Sequence, residues 1–411
     1  MIGALGMIVF VALAWVASEN RKAFPWRVAL SGTVLQFVLA LLMLKLPPLR
    51  FVFVGLSSAA GALLESTLAG SRFVFGYLAG GPAPFTVAQP SDMFILAFQA
   101  LVLILPLAAI FALLYYWRIL PFVVRAFAAL FRVCMGVAGP SGLAVAANIL
   151  LGMVEAPLCI RPYLARMSRC ELFIVMTSGM ATIAGTMLVL YATILEPVIP
   201  QAMGQILTAS LISAPAAIVT ATVMIPPRGA WSAGGSIEPD RSANAMDAMV
   251  SGVMNGLSIL VQVAALLLVF VALVDLADKI LSLAPAVGGQ ALSVQRIFGF
   301  AFRPVVWLMG VPWSEAGVGG SLMGTKVALN EFLAYLDMAR LPAGALSDRS
   351  RVILTYAMCG FANFGSVGII VGGMRAMVPE RAAEIAGLGA KSLAAGVLAT
   401  CMTGCVVGLI L

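Results

Sequence analysis

Seventeen acidic residues are spread over 411 positions, and one of them, Glu155, stands inside "LLGMVEAPLCIRPYL" (150–164), which is otherwise largely apolar. A carboxylate at bilayer depth costs roughly 2.5–3.5 kcal/mol even on the lenient insertion scale. Some interaction must offset that cost: a ligand hydroxyl, a cation or a bound proton. A second acid, Glu315, occupies "GVPWSEAG" (310–317), where again a Glu-Ala pair follows a Gly. Each also has a local partner to consider, Arg161 for Glu155 and Lys326 for Glu315. Glu331, in "NEF", reads equally as a supporting acid paired with Lys326. Asp275 and Asp278 lie beside Lys279 near a span end and point to the membrane interface, and Glu171 opens a span as a helix N-terminal acid.

The chain has no histidine, which removes imidazole acid–base chemistry, histidine metal ligation and the usual serine or cysteine triads. Six cysteines are scattered at 134, 159, 170, 359, 401 and 405; Cys401 and Cys405, one helical turn apart in an apolar segment, read as small core residues rather than a metal or disulfide site. An intramembrane enzyme using Glu155 and Glu315 as an acid–base pair is a reading from another class. It lacks a nucleophile elbow and a metal cluster. A passive channel is a third.

These residues must be positioned by membrane-embedded helices. The chain is 62% hydrophobic and 10% charged, where a globular domain carries about 25% charged residues. It is an all-α polytopic membrane protein. At about 20 apolar residues per crossing, eight spans are predicted, at 2–18, 28–46, 93–117, 170–194, 201–225, 250–277, 350–374 and 388–411. The first carries no convincing cleavage site and is read as a retained span. Residues 49–80 and 118–134 mix apolar and basic positions as interfacial amphipathic helices do, and 226–247 is a Pro/Gly/Ser loop too small to fold alone. The net charge of +7 reports topology rather than nucleic-acid binding. Arg21, Lys22 and Arg27 place the loop after the first span in the cytoplasm and both termini outside.

Two intervals, 139–166 and 296–340, are apolar but broken by Gly and Pro and hold acids. Each has the length of a re-entrant hairpin, tolerated at membrane depth only where protein or a wet cavity satisfies the backbone. The spans that follow them repeat a pattern, Gly179-Met-Ala-Thr182 and Gly360-Phe-Ala-Asn363. A hairpin followed by a glycine-interrupted span, occurring twice, is the signature of a secondary transporter whose site lies at the repeat interface. Four units follow: scaffold spans and interfacial helices at 1–135, a first hairpin and broken span at 136–225, a polar loop and scaffold span at 226–295, and a second hairpin with its spans at 296–411.

The ordered motifs "SENRKAF" (18–24), "AANILLGMVEAPLCIRPYL" (146–164), "GVPWSEA" (310–316), "GTKVALNEFLAY" (324–335) and "CGFANFGSVGI" (359–369) resemble the concentrative nucleoside transporter family over essentially the whole chain. The resemblance implies eight spans, two oppositely oriented hairpins, a homotrimer with one site per protomer, and elevator-type alternating access in the bacterial inner membrane. It implies import of nucleosides by symport, usually with sodium and in some bacterial members with protons, and no other cofactor. Carried over by position, Glu315, Asn363 and Ser366 match ribose-contacting residues, Phe361 a pocket aromatic, and Glu155 the hairpin acid that reaches the nucleoside. Asn148 and Thr182 side chains, with the Leu151 and Ile183 carbonyls, match an oxygen-only sodium site. The departure is at Met153 and Val154, where the family usually has Gln followed by Ser or Thr, and at Met187, which also borders the base. Apolar side chains there predict a substrate whose sugar is read specifically and whose base is read loosely.

Overall fold

The computed structural model describes residues 2–86, 93–232, 234, 242–285 and 291–411, leaving aside the side chains of 47–53, 56, 57, 60 and 266. Among the described residues the regular structure is helical. Six helices are long and apolar enough to cross a membrane: Trp26–Lys45, Leu96–Tyr116, Arg169–Leu195, Ala202–Met224, Ala245–Leu281 and Pro379–Ile410. The span expected at 2–18 is a shorter apolar helix, Ile2–Val16, and that expected at 350–374 is divided into Asp348–Met358 and Phe364–Met377. Both amphipathic segments form helices, Pro47–Phe75 and Ile119–Met135.

The helix Ala202–Met224 runs through the centre, with nearly every residue buried. Its hydroxyls are satisfied inside the protein: Thr208 donates to the Gly204 carbonyl at 2.7 Å and Thr222 to that of Ile218 at 2.8 Å. Ser213 bonds Thr403 of the C-terminal helix Ala382–Ile410 at 3.0 Å. Such pairs, with small residues at the contacts, hold helices together where lipid gives no hydrophobic drive between them. By contrast Ala245–Leu281 packs along Ile104–Tyr116 and exposes Val261, Leu268 and Leu276 on its outer face. That face is apolar until the helix's last turns, where Asp275 and Lys279 are exposed and bond each other at 2.6 Å.

The internal repeat is present, in a register different from the one the Glu-Ala pairs suggest. The first unit runs from the amphipathic Ile119–Met135 through Gly139–Asn148, a break, and the short helices Glu155–Leu158 and Arg161–Leu164. The second runs from the amphipathic Val294–Leu308 through Ala316–Ala328, a break, and Glu331–Ala339. Glu155 and Glu331 therefore correspond, each opening the helix after its break. Glu315 instead occupies the N-cap position of Ala316–Ala328. The interval 296–340 thus divides into an interfacial-type helix and a helix–break–helix unit, because Val294–Leu308 has its apolar side chains on one face and folds back along Ala316–Ala328.

Each unit is followed by an interrupted helix. Arg169–Ala181 begins at a capping box, with Ser168 and Glu171 bonding each other's backbone, so Glu171 is the helix-start acid expected of it. It stops at Thr182, which is extended, and resumes as Gly185–Leu195. Asp348–Met358 starts at a Ser347 cap and stops at Cys359, and Phe364–Met377 starts at an Asn363 cap. The two breaks abut: the Phe361 N–H donates to the Thr182 carbonyl at 3.3 Å. Only glycine fits at 360, where a Cβ would lie 2.8 Å from the Ala181 carbonyl oxygen.

Candidate functional site

A cavity of about 370 Å³ opens where the two helix–break–helix units meet the two interrupted helices. The first unit contributes Met153, Val154 and Glu155 from its break. Met187 comes from the turn after Thr182, and Phe361, Asn363 and Ser366 come from the second interruption. Seven of the eight expected substrate residues thus converge on one space.

The eighth does not. Glu315 lies at the far end of Ala316–Ala328, which as a 13-residue helix separates it from the break by about 20 Å at 1.5 Å per residue. Its carboxylate accepts from the Ser347 backbone N–H at 3.1 Å and from the Ser347 hydroxyl at 3.0 Å. It therefore holds the start of Asp348–Met358. Glu331 takes the place expected of it. Buried at the cavity wall, Glu331 accepts from the Tyr191 hydroxyl at 2.6 Å through Oε1 and from the Asn363 Nδ2 at 3.1 Å through Oε2. Aligning the two units on their breaks rather than on Glu-Ala would have found it in the sequence. Tyr191, one helical turn past Met187, carried no such signal.

Asn363 does two things at once. Its Oδ1 accepts from the Ser366 N–H at 2.8 Å, capping Phe364–Met377, while its Nδ2 faces Glu331. The N-terminal end of that helix is thereby aimed at the cavity together with a carboxylate, an amide and a hydroxyl. Both oxygens of Glu331 receive a donor, and a carboxylate offers about four lone-pair positions, so acceptor capacity remains for a ligand's hydroxyl pair. Met153 and Met187, 6% and 5% exposed, and Val154, which packs toward Gly373, add an apolar wall. Gln262, Asn255 and Phe270 of Ala245–Leu281 close the remaining side.

Glu155 sits on the boundary between this cavity and an adjoining one of about 480 Å³, whose wall includes Tyr115, Arg161 and Asn255. Its carboxylate turns back onto the Val154 and Glu155 backbone amides and packs over Gly152, leaving no room there for a Cβ.

The expected sodium ligands lie in and beside the same breaks. Asn148, the last residue of Gly139–Asn148, is buried; its Nδ2 donates to the Ser178 hydroxyl at 2.7 Å, and its Oδ1 has no partner among the described residues. Thr182 is buried at the interruption and donates its hydroxyl proton to the Ser178 carbonyl at 2.8 Å, so its oxygen lone pairs stay open. Leu151 lies in the first break and Ile183 in the interruption, where carbonyls are not all committed to helix bonds. An orphaned buried amide oxygen beside a hydroxyl and non-helical carbonyls suits a hard monovalent cation.

Residues 205–408 match the family described as Na+ dependent nucleoside transporter C-terminus, residues 5–78 its N-terminus, and residues 97–198 the nucleoside recognition gate. The chain is similar, at 33% identity, to nucleoside permease NupC of Helicobacter pylori, covering all of this chain and 97% of that one. It is similar at 34% identity to sodium/nucleoside cotransporter 1 of Homo sapiens, of which the match covers 64%. Among solved structures it is similar to CNTnw in an inward-facing substrate-bound state, with a TM-score of 0.89, 33% identity and 98% of that chain covered. A CNTnw variant in an outward-facing state gives 0.88 at 32% identity, covering 97% of that chain.

Proposed function

Since the chain belongs to the sodium-dependent nucleoside transporter family, whose members are transporters and not enzymes, we propose that it imports nucleosides by symport with sodium. The observation that carries this is the mixed lining of one cavity: a carboxylate, amide and hydroxyl at Glu331, Asn363 and Ser366 together with Met153, Val154 and Met187. Sugar hydroxyls fit the polar groups. A base lies against the methionines and Phe361, held by contact area rather than by hydrogen bonds, and purines and pyrimidines are then both accepted. Glu155 contributes an acceptor at the boundary. Sodium binds at Asn148, Leu151, Thr182 and Ile183.

On this reading the helix–break–helix units at 139–164 and 316–339 are re-entrant hairpins. With their interrupted helices they form a transport core, which moves by an elevator-type step against a scaffold that includes Ala245–Leu281. The shorter Ile2–Val16 and the interrupted 348–377 complete eight spans, and the protein works as a homotrimer in a bacterial inner membrane. The larger adjoining cavity is the passage between the site and one side of the membrane. One feature favours protons as the coupling ion instead: Glu155 lines the cavity, and no cation among the described residues bonds its carboxylate.

Uptake of labelled uridine and adenosine into proteoliposomes tests the proposal. Accumulation driven by an inward sodium gradient is expected, with the two nucleosides competing. Accumulation with a proton gradient alone transfers the coupling to Glu155, and no accumulation under either gradient overturns nucleoside symport.

A further inference from the structure

Lys326 is fully buried, yet its Nζ has no hydrogen-bond partner among the described residues. A lysine ammonium without partners is among the most unfavourable groups to bury, so its retention at the heart of the protein calls for an electrostatic reason. Two are visible. Lys326 lies in the last turn of Ala316–Ala328, where the helix C-terminus favours a cation. Five residues later Glu331 begins the next helix, and Lys326 is the one cation acting on that carboxylate among the described residues.

The groups facing Lys326 are Glu331 across the break, Cys359 at the second interruption and Cys401 on the C-terminal helix. Those acting on Glu331 are Tyr191, Asn363 and Lys326, with Tyr335 further along its own helix. Both hydrogen bonds to Glu331 are donated to it. It is therefore arranged as an acceptor, the role that suits the ionised form, and neither donor carries a charge. The balancing charge is Lys326, which acts on Glu331 without bonding to it and does not line the cavity. A cation that hydrogen-bonded Glu331 directly would occupy the lone pairs a sugar needs; one set back leaves them free.

We propose that Lys326 is the positioning residue that keeps Glu331 ionised and open toward the cavity, so that a pair of adjacent hydroxyls on the ligand finds a carboxylate and not a carboxylic acid. This rests on the reading of the cavity as a nucleoside site. With Lys326 neutralised, Glu331 takes up a proton, becomes a donor as well as an acceptor, and loses its preference for hydroxyl donors. Raising the pH removes that proton and restores binding.

The test is uridine binding by titration calorimetry to the purified full chain, from roughly pH 5.5 to 8.5, for wild type, K326M, K326R, E331Q and the K326M/E331Q pair. The expected result is about tenfold weaker binding for K326M at the acid end, recovering as pH rises. K326R stays within about threefold, and K326M adds nothing once Glu331 is Gln. A K326M affinity equal to wild type across the range, or an equal loss in the E331Q background, overturns the proposal. Thermal melting without ligand gives a second reading: K326M alone is expected to melt lower than the K326M/E331Q pair, and equal or additive shifts overturn it. If the wild type binds no uridine, the nucleoside reading fails, and the melting cycle still decides whether Lys326 balances Glu331. If K326M alone does not fold, recovery of folding in the pair supports the charge balance, and failure of both variants overturns it.

Discussion

The backbone N–H of Phe361 donates to the carbonyl of Thr182 at 3.3 Å, joining two helix interruptions 179 positions apart in sequence. Phe361 lines the cavity, and Thr182 belongs to the expected cation site. At the proposed sodium site, a cation drawing on Thr182 and Asn148 would therefore stiffen the segment on which Phe361 and Asn363 stand. Replacing Asn148 with Leu removes the unpartnered Oδ1 and is expected to abolish the dependence of uridine affinity on sodium, a coupling of typically about 1–3 kcal/mol. Uridine binding with sodium and with choline, in wild type and variant, checks it; a retained sodium effect removes Asn148 from the cation site.

Glu331 and Glu315 separate the cavity from the sequence motif. Glu331→Gln takes away a charged acceptor, worth roughly 1.5–3 kcal/mol, and is expected to weaken uridine binding about 10- to 100-fold. Glu315→Gln loosens the start of Asp348–Met358 and should lower the melting temperature while leaving affinity within about twofold. The reverse order of effects on affinity would put the sugar at Glu315 after all.

Base discrimination is expected to respond to the apolar wall. Met153→Gln with Val154→Thr introduces polar groups that must find partners on the base edge, and unpaired ones penalise the wrong base by about 1–3 kcal/mol. Competition of labelled uridine uptake by adenosine, inosine and cytidine should sharpen in this variant relative to wild type. An unchanged ranking would mean that the base does not rest against these two residues.

Acid stability follows from a cluster outside the membrane-embedded core. Glu19, in the loop after the first helix, bonds Arg169 at 2.8 Å and Lys391 at 2.6 Å. Chiefly through the Arg169 hydrogen bond, and against the opposing effect of burial, its carboxyl is lowered to about 2 from 4.5. A carboxyl held below its unfolded value stabilises above pH 4.5 and loses that contribution as pH falls from there toward 2. The melting temperature should therefore drop in this window more for wild type than for Glu19→Gln. Parallel curves would show that the Glu19 bridges add nothing to the fold.

Much of this protein is written in local chemistry. The apolar runs of about 20 residues and the broken intervals define a helical membrane protein, because a segment that crosses lipid alone at that length must satisfy its own backbone. The glycine-interrupted patterns at 179–182 and 360–363 fall on the helix breaks, since Thr182 and Asn363 are residues that end or cap helices. The sequence also carries Met153, Val154, Met187, Phe361, Asn363 and Ser366, all of which reach one cavity. It did not determine the repeat register. "SEAG" resembles "VEAP" by letter, but register depends on which acid follows a break, and the break at Leu329 is marked by no glycine or proline, only by Asn330, which caps the next helix. Only the tertiary structure brings Tyr191 to Glu331 across 140 positions and leaves Lys326 buried. The pairing of Lys326 with Glu331 is legible locally, five positions apart, but the hydrogen bonds from Tyr191 and Asn363 to Glu331 join residues the chain keeps far apart, and no local pattern records them.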